Sequence, residues 1–126
     1  MKLEIDIPGQ GLYRIESYTN GTICINGEHL ISSVIVSPRL LINTWPPKTF
    51  TEIALQHMEQ IIQLNPDIII LGTGRQLHFP PSHISAQIRR LGIGFEAMDT
   101  GAACRCYNLL MGEGRNVAAA LIMPGA

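Results

Sequence analysis

Hydrophobic positions along this chain change period at about residue 45, and the change divides a strand-rich first third from an alternation of helices and strands. Residues 12–17, 22–25 and 29–36 are rich in β-branched side chains and are separated by Asn20-Gly21 and Asn26-Gly27, dipeptides suited to the positive φ angles of tight hairpin turns. The spacing predicts an antiparallel meander of three strands, with residues 1–10 as an extended lead-in. Pro38 breaks the pattern. Residues 40–44 read as one more short strand, ending at Trp45-Pro46-Pro47 because proline offers no N–H to a ladder.

From there the period becomes helical. Phe50, Ile53, Ala54, Met58, Ile61 and Ile62 recur at the spacing of one helix face over about 51–64, with Thr49 or Thr51 able to cap it and Asn65-Pro66 to stop it. An all-apolar strand over 67–71 runs into Gly72-Thr73-Gly74-Arg75. Ser82 caps a second helix, where Ile84, Ile88 and Leu91 fall at i, i+4 and i+7 and Gly92 marks the exit. A strand over 94–98 leads to Asp99-Thr100, either of which can cap a third helix reaching about Met111, and a small-apolar strand over 116–123 follows.

This order implies a mixed α/β (α+β) fold in a single domain: an N-terminal antiparallel meander plus alternating strand-helix units. Alternation favours right-handed crossovers between parallel strands. The loops after the strands at 40, 67 and 94 would then emerge on one sheet edge, where open α/β sheets hold ligands. Those loops bring together Trp45, Gly72, Thr73, Gly74, Arg75, Asp99 and Thr100. Glycines could admit backbone N–H groups to an anion, and the helix at Thr100 could add its dipole. Equally, the glycines could simply turn the chain, with Asp99 or Thr100 capping a helix and Arg75 pairing with Asp99.

Composition narrows the function classes. Nine Lys and Arg against ten Asp and Glu give a net charge of −1, which lacks the basic footprint of a nucleic-acid binder. No apolar run approaches the roughly twenty residues of a membrane span, and the N-terminus, with Glu4 and Asp6, resembles no signal peptide. The expectation is a soluble, cytoplasmic protein that does not insert in a membrane. Three cysteines, two of them only one residue apart, fit free thiols in a reducing compartment.

Catalytic signatures are incomplete. Gly72-Thr73-Gly74-Arg75 lacks both the Gly-Lys-Ser/Thr of a P-loop and the third glycine of a dinucleotide fingerprint, so no cofactor is expected. Cys104 and Cys106 lie about 200° apart around a helix and cannot grip one metal together. Cys104, in a first helical turn, could carry a reactive thiol or simply be a small buried residue. The four histidines show no metal-ligand spacing, His57 fits a satisfied core-edge residue, and no serine sits in a nucleophile elbow. Trp45 could contact a protein partner or pack over the first helix.

Three segments taken together carry a resemblance. The run Pro66-Asp67-Ile68-Ile69-Ile70-Leu71-Gly72-Thr73-Gly74, the run Asp99-Thr100-Gly101-Ala102-Ala103-Cys104 with Tyr107-Asn108-Leu109-Leu110, and Gly114-Arg115-Asn116-Val117 are similar to the Mth938-like family. That family includes a mitochondrial complex I assembly factor. The resemblance implies a three-layer β/β/α fold with a mixed sheet and raises the expectation of a non-enzymatic, assembly-type role through a protein partner, with a homo-oligomer left open. It supplies no catalytic residues. The alternative is a small-molecule or anion-binding protein or enzyme in which Arg75 holds an anion, Asp99 orients or accepts a proton and Cys104 supplies a thiol, with Thr73 beside them.

Overall fold

Burial on one face or on two decides which strands share a sheet in the computed structural model, which describes residues 11–126. The lead-in expected over 1–10 lies outside the described residues. Strands β1 (Ile15–Thr19), β2 (Thr22–Ile25) and β3 (Glu28–Leu30) form an antiparallel three-stranded sheet. Asn26 and Gly27 both take positive φ in the β2–β3 turn, as the dipeptide predicts.

The third strand expected over 29–36 is divided. It breaks at Ile31-Ser32-Ser33, and β4 (Val34–Ser37) belongs to a second sheet. The reason is legible in the burial: β3 buries only Leu30, whereas Val34, Ile35 and Val36 are buried in succession, as in a strand covered on both faces.

The second sheet has the order β5-β4-β8-β6-β7, with β5 (Leu40–Ile42), β6 (Ile68–Gly72), β7 (Gly94–Met98) and β8 (Val117–Leu121). β6 pairs in parallel with both β7 and β8, while β4 is antiparallel to β8 and to β5. β5 is thus the far arm of a hairpin and not a partner in a parallel crossover. Two antiparallel pairings nevertheless return it to the direction of β6, β7 and β8, so the loops after β5, β6 and β7 do leave on one edge.

Helices α1 (Leu55–Ile62), α2 (Ser82–Arg90) and α3 (Thr100–Gly112) cover this sheet. The path steps outward from β6 to β7 and returns across β6 to β8, so right-handed crossovers require α2 and α3 to lie on opposite faces. They do. Val117, Ala119 and Leu121 of β8 join Ala103, Cys104, Tyr107 and the small sheet in one core. Ala118, Ala120 and Ile122 face α1 and α2 through Met58, Ile61, Ile84 and Ile88 in the other. The small sheet with α3, the large sheet, and α1 with α2 form the three layers.

The first helix starts later than its apolar period predicts. A 3-10 turn at Phe50–Glu52 precedes an extended Ala54, and α1 begins at Leu55. Neither Thr49 nor Thr51 caps it; instead the His57 imidazole Nδ1 accepts the Ala54 N–H at 2.8 Å. Ser82 does not cap α2 as its sequence position suggested: Pro81 holds the N-cap position, without a side-chain cap bond, and Ser82 is the first helical residue.

Candidate functional site

The Gly-Thr-Gly turn is built by close approach and by internal bonding. At Gly72 an added Cβ would stand 2.9 Å from Leu121 Cδ2 and 3.0 Å from Thr100 Oγ1, so this glycine lets the first turn of α3 lie against the sheet. Gly74 has φ +100° and faces the backbone carbonyl of Ala126, which excludes a side chain on both counts.

Three consecutive amides that an anion would need are spent within the chain. Thr73 N–H donates to Met98 C=O at 2.9 Å, Gly74 N–H to Thr100 Oγ1 at 2.8 Å, and Arg75 N–H to Ala126 C=O at 3.0 Å. The Thr100 hydroxyl, wholly buried, donates in turn to Ile122 C=O at 2.6 Å, and Thr100 N–H returns to Gly74 C=O at 2.9 Å. Thr73 Oγ1 donates to Gln76 C=O at 2.7 Å and accepts from His78 N–H at 3.1 Å. Thr73 and Thr100 are therefore struts of the edge.

Asp99 is the α3 N-cap, its Oδ1 accepting from Ala102 N–H at 3.0 Å. Its carboxylate already answers the positive end of that helix, and it uses Ala102 where the sequence offered Arg75 as a partner. Asp99, Gly74 and Arg75 line a crevice of about 230 Å³ closed on its other side by the β1–β2 hairpin tip. Of the expected pocket residues, these three reach it, whereas Gly72, Thr73, Thr100 and Cys104 lie behind it in the packing.

Of the two readings of Cys104, the structure realises the small buried residue. Cys104 has no exposed surface, and burial pushes its thiol up to about 12, with Arg105 offsetting only part of that. Cys106, half-buried, is also raised, by burial and then by Glu96. Among the described residues no three His, Cys, Asp or Glu side chains gather to hold a metal ion.

Trp45 is 2% exposed, so the packing alternative is the one the structure realises. Its Nε1 donates to His57 C=O at 3.1 Å, and its ring meets the imidazole edge-on at 6.5 Å. Burial removes it from the partner-contact role, because its indole is enclosed with Met58 and Ile61. His57 is the satisfied core-edge residue that its place on the helix suggested.

Sequence reasoning missed Tyr18 and Arg105, which meet over Gly101. Arg105 Nη1 donates to Tyr18 Oη, and a Cβ on Gly101 would stand 3.1 Å from Tyr18 Cε2. A separation of 87 residues leaves no local signal for that pair. Two motif residues also proved structural: Asn108 holds β1 by accepting from Ile15 N–H at 3.0 Å and donating to Ile15 C=O at 2.6 Å, and Tyr107 Oη donates to Tyr13 C=O at 2.7 Å.

Comparison with known proteins agrees with this fold. Xenopus tropicalis NADH dehydrogenase [ubiquinone] 1 alpha subcomplex assembly factor 3 is 31% identical over 112 residues, covering 87% of this chain and 61% of that protein. The chain thus spans about three-fifths of the length of that relative. A Francisella tularensis protein named 13 kDa major membrane protein is 32% identical over 108 residues, covering 85% of this chain and 88% of its own. No helix among the described residues here is long and apolar enough to cross a membrane. The solution structure of a Bordetella pertussis Mth938-like domain superposes with a TM-score of 0.82 at 29% identity, covering 99% of this chain and 94% of that one. The family described as "Protein of unknown function (DUF498/DUF598)" matches residues 15–122, and this chain, with its Mth938-like fold, belongs to that family.

Proposed function

We propose that this chain is a non-enzymatic, assembly-type factor that binds a protein partner at the loop edge following β6. The observation that carries the reading is the contrast within one loop. Its amides at residues 73–75 are committed to the chain itself, while Leu77 and Phe79 a few residues on are 46% and 76% exposed. His78 between them stacks on Phe50 at 5.1 Å, which ties the loop to the segment before α1 and limits the ordering cost of binding. Exposed aromatic and aliphatic side chains on a braced loop suit a protein contact better than a polar ligand. The assembly-factor name of the vertebrate relatives supports the same direction.

Affinity capture from native lysate tests it. A stoichiometric partner should be recovered, lost in Phe79→Asp and retained in Leu109→Asp, which alters an exposed leucine on α3. Failure to recover any stoichiometric partner, or its retention by Phe79→Asp, would count against the proposal. A metabolite that stabilises the chain in a thermal-shift screen, and no longer does so in Arg75→Ala, would favour the crevice instead.

A further inference from the structure

At the end of the large sheet opposite the Gly74 crevice, the β4–β5 turn and the α3–β8 loop enclose a cleft of about 450 Å³. That lies within the roughly 300–1,000 Å³ of small-molecule sites. Its apolar wall draws on both cores: Leu12 and Met111 belong to the α3 side and Leu64 to the side of α1 and α2. Leu40, 42% exposed, adds the outer lip.

Among the described residues, the only ionisable side chains lining this cleft are Arg39 and Arg115. Arg89 and Arg105 are engaged, with Phe95 C=O and Tyr18 Oη. Among the described residues Arg39 and Arg115 have no such partner, and none of the carboxylates there lines the cleft beside them. In a chain whose net charge is −1, two guanidinium groups with no carboxylate partner among the described residues, set over an apolar wall, form a local positive site.

A role in completing α3 does not account for them. The carbonyls of Leu109, Leu110 and Met111 already accept amides from Glu113, Gly114 and Arg115, and Arg39 sits in a hairpin turn. Both arginines rise from tethered backbone. Arg115 N–H donates to Leu110 C=O at 3.0 Å, Asp67 N–H closes on Asn116 C=O at 2.8 Å, and Tyr13 N–H holds Pro38 C=O at 2.9 Å.

We infer that this cleft binds a small amphiphilic anion, with its carboxylate or phosphate head at Arg39 and Arg115 and its unbranched apolar tail against Leu12, Leu40, Leu64 and Met111. Guanidinium groups match both head groups through paired N–H donors. The tail removes apolar wall from water, and the net gain requires head and tail on one molecule.

Titration of the isotopically labelled chain, followed by amide NMR, tests this with decanoate, decyl phosphate, 1-decanol and inorganic phosphate, each below aggregation. Decanoate or decyl phosphate should shift Leu40, Met111 and Arg115 saturably and leave Gly74 and Asp99 in place; the tighter of the two identifies the head. Decanol and inorganic phosphate should bind at least about tenfold more weakly, and Arg39→Ala and Arg115→Ala should each cost about tenfold with the folded spectrum intact, as expected for loss of a charge-assisted hydrogen bond. The inference is overturned if no cleft amide shifts saturably, if the double variant binds as well as the parent, or if inorganic phosphate alone binds as tightly as the amphiphiles.

Discussion

Replacing Thr100 by valine removes one buried hydroxyl at almost constant volume and should strike the Gly74 edge at its centre. That oxygen accepts Gly74 N–H at 2.8 Å and donates to Ile122 C=O at 2.6 Å, in a residue with no exposed surface. Valine leaves a buried donor and a buried acceptor without partners, each costing about 1–3 kcal/mol. Partial relaxation should bring the total to about 2–4 kcal/mol, a large share of the roughly 5–15 kcal/mol that holds a domain. At about 4 °C per kcal/mol for a chain of this size, Tm should fall by about 8–16 °C. Thr100→Ser retains the hydroxyl and loses one methyl, for about 1 kcal/mol. Urea unfolding of both variants, with hydrogen exchange at Gly74, separates the two contributions. A valine variant within 1 kcal/mol of the parent, or a serine variant as damaged as the valine, would falsify the assignment of Thr100 as the strut of this edge.

Three further outcomes follow from the packing. Gly72→Ala should cost about 1–3 kcal/mol through overpacking against Leu121 and Thr100; a urea midpoint equal to the parent's would refute the close approach. Asn108→Ala should cost about 2–3 kcal/mol by removing both bonds to Ile15, and should speed exchange of the Ile15 amide ahead of β6 amides. Cys104, with its folded thiol raised from 9.0 to about 12, holds its proton more tightly folded than unfolded. Its contribution to stability is therefore complete below about pH 9 and declines as pH rises toward 12. At pH 8 iodoacetamide should label Cys106 before Cys104 in the folded chain, and equal rates at the two would contradict the burial.

The helices and the strands at the centre of the large sheet were readable because their apolar periods agree with their turn residues. Asn26-Gly27 and Asp99 both do what their side chains favour. The corner at Ile31-Ser32-Ser33 was hidden because residues 29–36 remain β-forming throughout, and only two-sided burial reveals the change of sheet. The convergence of Gly74, Arg75 and Asp99 followed from strand direction. Their chemistry did not: the partners of those amides are Met98, Thr100 and Ala126, supplied by other elements. The Arg39 and Arg115 cleft joins a hairpin turn to a helix exit 76 positions later, a meeting that no local motif encodes.

β8 also sets the order in which the molecule can be completed. It lies between β4 and β6, so before residues 117–121 arrive the large sheet consists of two separate strand pairs, each with an open hydrogen-bonding edge. During synthesis from the N-terminus, β4 (Val34–Ser37) and β6 (Ile68–Gly72) must wait for Val117–Leu121 before their shared neighbour emerges. Long-range closure of this kind slows folding and leaves strand edges exposed to other chains. The alanine-rich strand that looks least distinctive in the sequence is thus the keystone, and the nascent chain is most open to mispairing until residues 117–121 have emerged.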